Sequence, residues 1–239
     1  MCQAKSESSS ATRASLSEAA QTLVPTHPAA KAALELAVSS LPASILYHSL
    51  RVFIYAQALT RKVSQNGSKS LYPGGSLHTV SVEPHVLFVA CILHDLGTVN
   101  EYDVNPERFE VCGAEEAVRI LRAHEGKENE AAIREAWLAI SLHTSPGIAE
   151  CISGTVQIVR FAVKTDFGRY DTSNIPLLDH EKAVIEKDLP RLDIEKELGD
   201  AVVRQGLATR NKAPTTSWPG ALLKSKEDNP DWVGVNKAF

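Results

Sequence analysis

The strongest constraint on this chain is the stretch Pro84–Leu93. There Val86, Leu87, Phe88, Val89, Ala90, Cys91, Ile92 and Leu93 follow one another without a polar residue and lead into His94-Asp95-Leu96-Gly97. A helix that is apolar all round has to be enclosed all round. The stretch therefore predicts a central helix over Pro84–Leu96, with Gly97 as its C-terminal cap. It is too short to span a bilayer, which takes about 20 apolar residues. A histidine and an aspartate at the end of such a helix are costly unless they are paired or bound to a metal. Neighbours on a regular helix point about 100° apart, so both can face one ion only where the helix stops.

The remaining patterns are helical as well. Leu16–Leu41, Ser44–Val63, Gly113–Ala123, Ala131–Leu142, Thr155–Lys164, His180–Leu189 and Ile194–Ala208 repeat apolar residues at helical spacing, while strand-like alternation is scarce. A loop is expected over Asn66–Ser76, where glycine and proline cluster. The expected fold is all-α, one helical bundle of five to eight helices. Residues 1–30 would form a flexible tail, Ser- and Ala-rich over Met1–Ser15. Residues 31–210 would form the domain, and residues 211–239 an extension packed on it. Trp218 and Trp232 in that extension would either fill the core or cover the site.

Charge narrows the possible partners. The chain carries 25 Lys+Arg against 29 Asp+Glu, net −4, with no basic stripe to displace counterions from phosphates, so no nucleic-acid partner is expected. No membrane association is expected either. The four cysteines are scattered without a CxxC pair, and no signal peptide is apparent, so a cytoplasmic protein acting on a small molecule is the expectation. Cys91 reads as a core thiol. Small residues on helices thought to be exposed (Ala114, Ala117, Ala136, Ala139) suggest a homodimer or higher homo-oligomer.

Taken singly, the other candidate residues have plain structural readings. His48 shares a mixed helix face with Ser44, Val52 and Tyr55 and reads as a core histidine. Asp166 reads as a solvated cap, His143 as a histidine on a helix dipole, and His124 as a surface residue. Together with His94-Asp95 they form the order H…HD…D, with 46 residues from His48 to His94 and 71 from Asp95 to Asp166.

That order resembles the HD-domain superfamily of metalloenzymes. The segments His48-Ser-Leu-Arg-Val-Phe, Leu93-His-Asp-Leu-Gly-Thr, Phe109-Glu-Val-Cys-Gly-Ala and Asp166-Phe-Gly are similar to those of the fungal cyanamide hydratases, over roughly Leu41–Asp171. The resemblance implies a single HD-domain helical bundle holding one divalent ion, most often Zn2+, through His48, His94, Asp95 and Asp166. A nitrogen and oxygen donor set also suits Fe2+ or Mn2+. It implies a hydro-lyase that adds water to the nitrile carbon of cyanamide; the nitrile nitrogen takes a proton and the product tautomerises to urea. His143 would transfer the proton or orient substrate, Asp95 would orient the water, and Thr98 and Glu110 would contact substrate.

Several other readings compete. An HD-type phosphohydrolase of a nucleotide or phosphoester is one, a hydratase of another small nitrile or an isocyanide a second, and a degenerate fold serving as a binding module a third. Hydration is favoured because no Gly-rich phosphate cradle and no Lys/Arg cluster flank the ligands, although Arg51, Lys164 and Arg169 could reach them. A mononuclear site is favoured because only His124 and His143 lie between the HD pair and Asp166. The long polar loop Gln65–Val82 and the triplet Thr144-Ser145-Pro146 depart from the hydratase pattern and would reshape the substrate pocket.

Overall fold

The computed structural model describes residues 16–65, 71, 83–125, 129–171 and 175–231. Eleven α-helices occur among them, with short 3-10 turns and no strand. The architecture is therefore all-α, with more helices than the five to eight expected. The surplus comes from short segments. Pro25 and Pro28 divide the first helical pattern into α1 (Glu18–Thr22) and α2 (Pro28–Ser40), α7 (Ala149–Ile152) is too brief to carry a clear period, and α11 (Trp218–Asp228) lies in the C-terminal extension, outside the patterns read as helical. The stretch expected to be a flexible tail up to residue 30 is helical from Glu18 onward, with Ala20, Ala29 and Ala30 buried; Met1–Ser15 lie outside the described residues.

Local chemistry accounts for the helix starts. The ring of His27 accepts from the Ala29 amide at 3.2 Å and Pro28 opens α2, where its missing N–H costs nothing. Ser153 caps α8 (Gly154–Asp166) through the Val156 amide at 3.3 Å, and Ser217 caps α11 through the Gly220 amide at 3.1 Å.

The apolar stretch forms α4 (Pro84–Leu93), with Val86 through Leu93 all buried. Around it pack α2, α3 (Ala43–Gln65), α5 (Phe109–Glu125), α6 (Glu130–Leu142) and α8, so the helix that is apolar on every side has a helix on every side. α9 (Asp179–Lys187) and α10 (Ile194–Ala208) follow, and α10 packs on α3 and α11. Trp218 lies in the core, edge-on to Phe109 with ring centroids 6.0 Å apart; Trp232 falls outside the described residues. No helix among the described residues is long and apolar enough to cross a membrane.

Two sequence readings need correction. Ala114, Ala117, Ala136 and Ala139 are fully buried where α5 packs on α6, so they bring this chain's own helices together and carry no argument for a homodimer. Gly97 is not the helix cap. α4 stops at Leu93 with His94 at its C-cap, and Gly97 lies in a following 3-10 turn, Leu96–Thr98. The need for glycine there is one of space, because a Cβ on Gly97 would lie 2.1 Å from the Phe109 carbonyl oxygen.

Gly113 plays a parallel part on α5, where a Cβ would come within 2.6 Å of the Leu93 carbonyl oxygen. Helix propensity favours Gly113→Ala by about 1 kcal/mol. The clash is with rigid backbone, so overpacking of about 1–3 kcal/mol should decide the sign. Denaturant unfolding of Gly113→Ala is expected to show net destabilisation. A stabilised variant would mean that α5 does not close on α4 in this way.

Candidate metal centre

The end of α4 sets up the site. His94 keeps helical dihedrals (φ −61°, ψ −31°), while Asp95 turns out of them (φ −105°, ψ 5°), so the two side chains converge instead of splaying apart. α3 brings in His48, buried like its partners. One ligand atom from each of His48, His94 and Asp95 lies within 4.8 Å of the other two.

Each imidazole is oriented by a bond on its far side. His94 Nδ1 lies 2.7 Å from the Cys91 carbonyl, His143 Nδ1 lies 2.7 Å from the Ile140 carbonyl, and His48 Nδ1 lies 2.7 Å from Asp166 Oδ2. All three Nδ1 atoms face acceptors and so donate, which leaves Nε2 as the lone-pair atom of each neutral ring. His48 Nε2 and His94 Nε2 are 3.1 Å apart, and Asp95 Oδ2 is 3.6 Å and 3.1 Å from them. His143 Nε2 lies 3.4 Å from Asp95 Oδ1. Neither Asp95 oxygen has a hydrogen-bond partner, although both are buried.

Converging lone pairs around an unpartnered buried carboxylate fit a cation. A nitrogen and oxygen donor set without thiolate suits Zn2+, Fe2+ or Mn2+. Burial pushes His94 toward the neutral form, but the Asp95 carboxylate beside it, the Cys91 carbonyl and the Asp166 charge together outweigh burial and raise its pKa. Burial would raise the Asp95 carboxyl, yet His94 and His143 hold it well below the usual carboxylate range.

Asp166, expected as the fourth ligand, is not brought into the cluster. Its Oδ1 accepts from Arg51 Nε at 2.7 Å, and its Oδ2 accepts from an Arg51 terminal nitrogen at 2.9 Å and from His48. Arg51 is in turn fixed by the carbonyls of Leu189 and Pro190, 3.0 and 3.2 Å away. In this arrangement the carboxylate lies against the far nitrogen of His48, 2.7 Å away, and orients that ring. Burial would raise its pKa, but the His48 hydrogen bond and the Arg51 guanidinium prevail and depress it far below the ordinary range. Its stabilisation is therefore complete above about pH 4, the unfolded-state value, and is lost only as pH falls through the depressed folded value.

The remaining expected residues lie close by in supporting contacts. The Thr98 hydroxyl donates to the Asp95 carbonyl at 2.7 Å. Glu110, at the start of α5, accepts from the Thr144 hydroxyl at 2.6 Å and from Arg108 Nε at 3.2 Å. Lys164 sits over the Phe161 ring, Arg169 is exposed beyond α8, and His124 is exposed. Cys91 is buried, and burial pushes its thiol pKa far up, as a core thiol requires.

Arg160 escaped sequence reasoning. It donates to the His143 carbonyl at 2.8 Å and to Glu150 at 3.1 Å, tying α8 to the end of α6. The available signal was an arginine inside the apolar run Val156–Val163, which is costly unless paired.

Residues 45–187 match the family described as HD domain, more than half of the chain, and the chain belongs to that family. No curated protein matches it. Family and cluster together place it among metal-dependent enzymes of the hydrolase type.

The geometry separates ligands from supports. His48→Ala and Asp95→Ala should fold yet lose the metal, whereas Asp166→Asn should keep one site per chain with affinity weakened about 10–100-fold. Metal content and a binding titration on each variant check this. Full metal occupancy in Asp95→Ala would refute the assignment.

Proposed function

We propose that the protein hydrates a small uncharged nitrile of the cyanamide type, giving urea in the case of cyanamide. The observation that carries this reading is the burial of the whole centre: His48 and His94 are 0 % exposed, Asp95 1 % and His143 2 %. A compact, linear, neutral substrate needs little room and brings in no charge to be stripped of water.

The cations argue in the same direction. Among the described residues, Arg51 is bonded to Asp166, Arg160 to Glu150, Arg108 to Glu110, and Arg191 to Glu195 at 2.6 Å. A nucleotide or phosphoester substrate would need cations for its phosphate oxygens, and these guanidiniums are already neutralised by carboxylates of the chain.

A divalent ion at the cluster would supply Lewis acidity and bring a water's pKa toward neutrality. The chain's own groups would manage position and protons. Asp95 Oδ1 accepts a hydrogen from the incoming water and holds its oxygen toward the nitrile carbon. As the C–O bond forms and the water O–H breaks, His143 Nε2, 3.4 Å from that carboxylate oxygen, carries the proton to the nitrile nitrogen. The Nδ1 bond to Ile140 keeps His143 in the tautomer that can accept and release at Nε2. The isourea then tautomerises to urea, and water and cyanamide are the only reactants consumed.

The test is urea formation from cyanamide by purified protein, with metal counted on the same sample. Activity should vanish with a chelator and return with Zn2+, and His143→Ala should lower kcat about 10²–10⁴-fold with metal content unchanged. A metal-loaded protein that makes no urea but releases phosphate from a phosphoester would replace this reading with phosphohydrolysis.

A further inference from the structure

The segment that carries the His-Asp pair is gripped by residues outside the family-matched region 45–187. Gln205, on α10, donates from Nε2 to the Gly97 carbonyl and to Asp103 Oδ1, both at 2.9 Å. Arg204 donates to the Thr98 carbonyl at 2.9 Å and holds the Asp103 carboxylate through two contacts of 3.2 Å. Lys212, in the 3-10 turn Arg210–Lys212, donates to the Tyr102 carbonyl at 2.7 Å. Gln205 and Lys212 are buried, and the Gln205–Gly97 bond is shielded from water.

The need for them follows from how α4 ends. Past Leu93 the chain makes 3-10 turns, Leu96–Thr98 and Asn100–Tyr102, whose own amides serve the carbonyls of Asp95, Leu96, Val99, Asn100 and Tyr102, while those of Gly97 and Thr98 take side-chain donors from outside the turn. α10 provides them. The turn then passes the constraint to the site, because Thr98 bonds the Asp95 carbonyl through its hydroxyl at 2.7 Å and its amide at 3.1 Å. The non-helical backbone of Asp95 is what aims its carboxylate at His48 and His94.

We infer that Gln205, seconded by Arg204, is a positioning residue of the metal centre: through Gly97 and Thr98 it fixes the angle at which Asp95 meets the ion. This rests on the assignment of His48, His94 and Asp95 as the metal cluster, and goes beyond it by making the C-terminal helices part of the site's machinery.

The experiment is a cobalt(II) titration of the full chain followed by visible absorption, with thermal unfolding recorded alongside. Gln205→Met keeps length and volume but removes both donors. It should weaken cobalt binding about 10–100-fold, the usual range for an outer-shell partner, and alter the spectrum of the bound ion. Arg204→Lys, which retains a donor for the Thr98 carbonyl, should bind nearly as the parent does, and Arg204→Ala should not. If Gln205→Met does not fold, Arg204→Ala, altered at a half-exposed side chain, is read by the same two signals. Unchanged affinity and spectrum overturn the inference, even if the melting temperature falls, because the contacts would then support only the fold. A parent protein that binds no cobalt refutes the metal cluster itself.

Discussion

The structure is organised around a carboxylate that the chain leaves uncompensated. Asp95 is buried just past a helix that is apolar from Val86 to Leu93, and neither of its oxygens has a hydrogen-bond partner. An isolated carboxylate in such a place costs far more than a domain's net stability, so it persists only where positive charge can enter. The nearest groups present Nε2 lone pairs, which cannot supply that charge in the neutral state. Burial, tautomer and converging lone pairs thus carry one meaning: the fold is complete when a cation is present.

Every other buried charge near the centre is settled internally. Asp166 is held by Arg51 and His48, Glu150 by Arg160, Glu110 by Arg108 and Thr144. Breaking one partner of a buried pair is costly, because the other is left charged and dry. The arrangement therefore surrounds the cluster with charges already paired among themselves. It also accounts for the electrostatic selectivity of the proposed function, since a shell whose guanidiniums are spent has little to offer an anionic substrate.

The parts legible in sequence were those whose signal is local. An all-apolar run must be enclosed, and α4 is; a charged pair at its end must be partnered, and His94-Asp95 sits in the metal cluster with His48. What the sequence hid depends on pairings across long separations. Arg51 meets Asp166 across 115 positions, and Gln205 meets Gly97 across 108. The alanines of α5 and α6 were misjudged because periodicity names an apolar face without naming what lies against it, and their face is turned inward. Gly97 was misjudged because a glycine after a helix looks alike whether it supplies left-handed dihedrals or merely space, and here the Phe109 carbonyl takes the space.

The family-matched residues 45–187 hold the three clustered groups, but they do not close the structure around them. α4 must end abruptly for His94 and Asp95 to share one ion, and the turn that follows leaves the carbonyls of Gly97 and Thr98 to side-chain donors. A longer helix would keep those hydrogen bonds and point the two side chains about 100° apart. The conflict between backbone satisfaction and metal geometry is resolved from outside the motif, by the side-chain amide of Gln205 and the guanidinium of Arg204. On this view the C-terminal helices follow from the HD turn: a site that breaks its own helix requires another element to complete the hydrogen bonding.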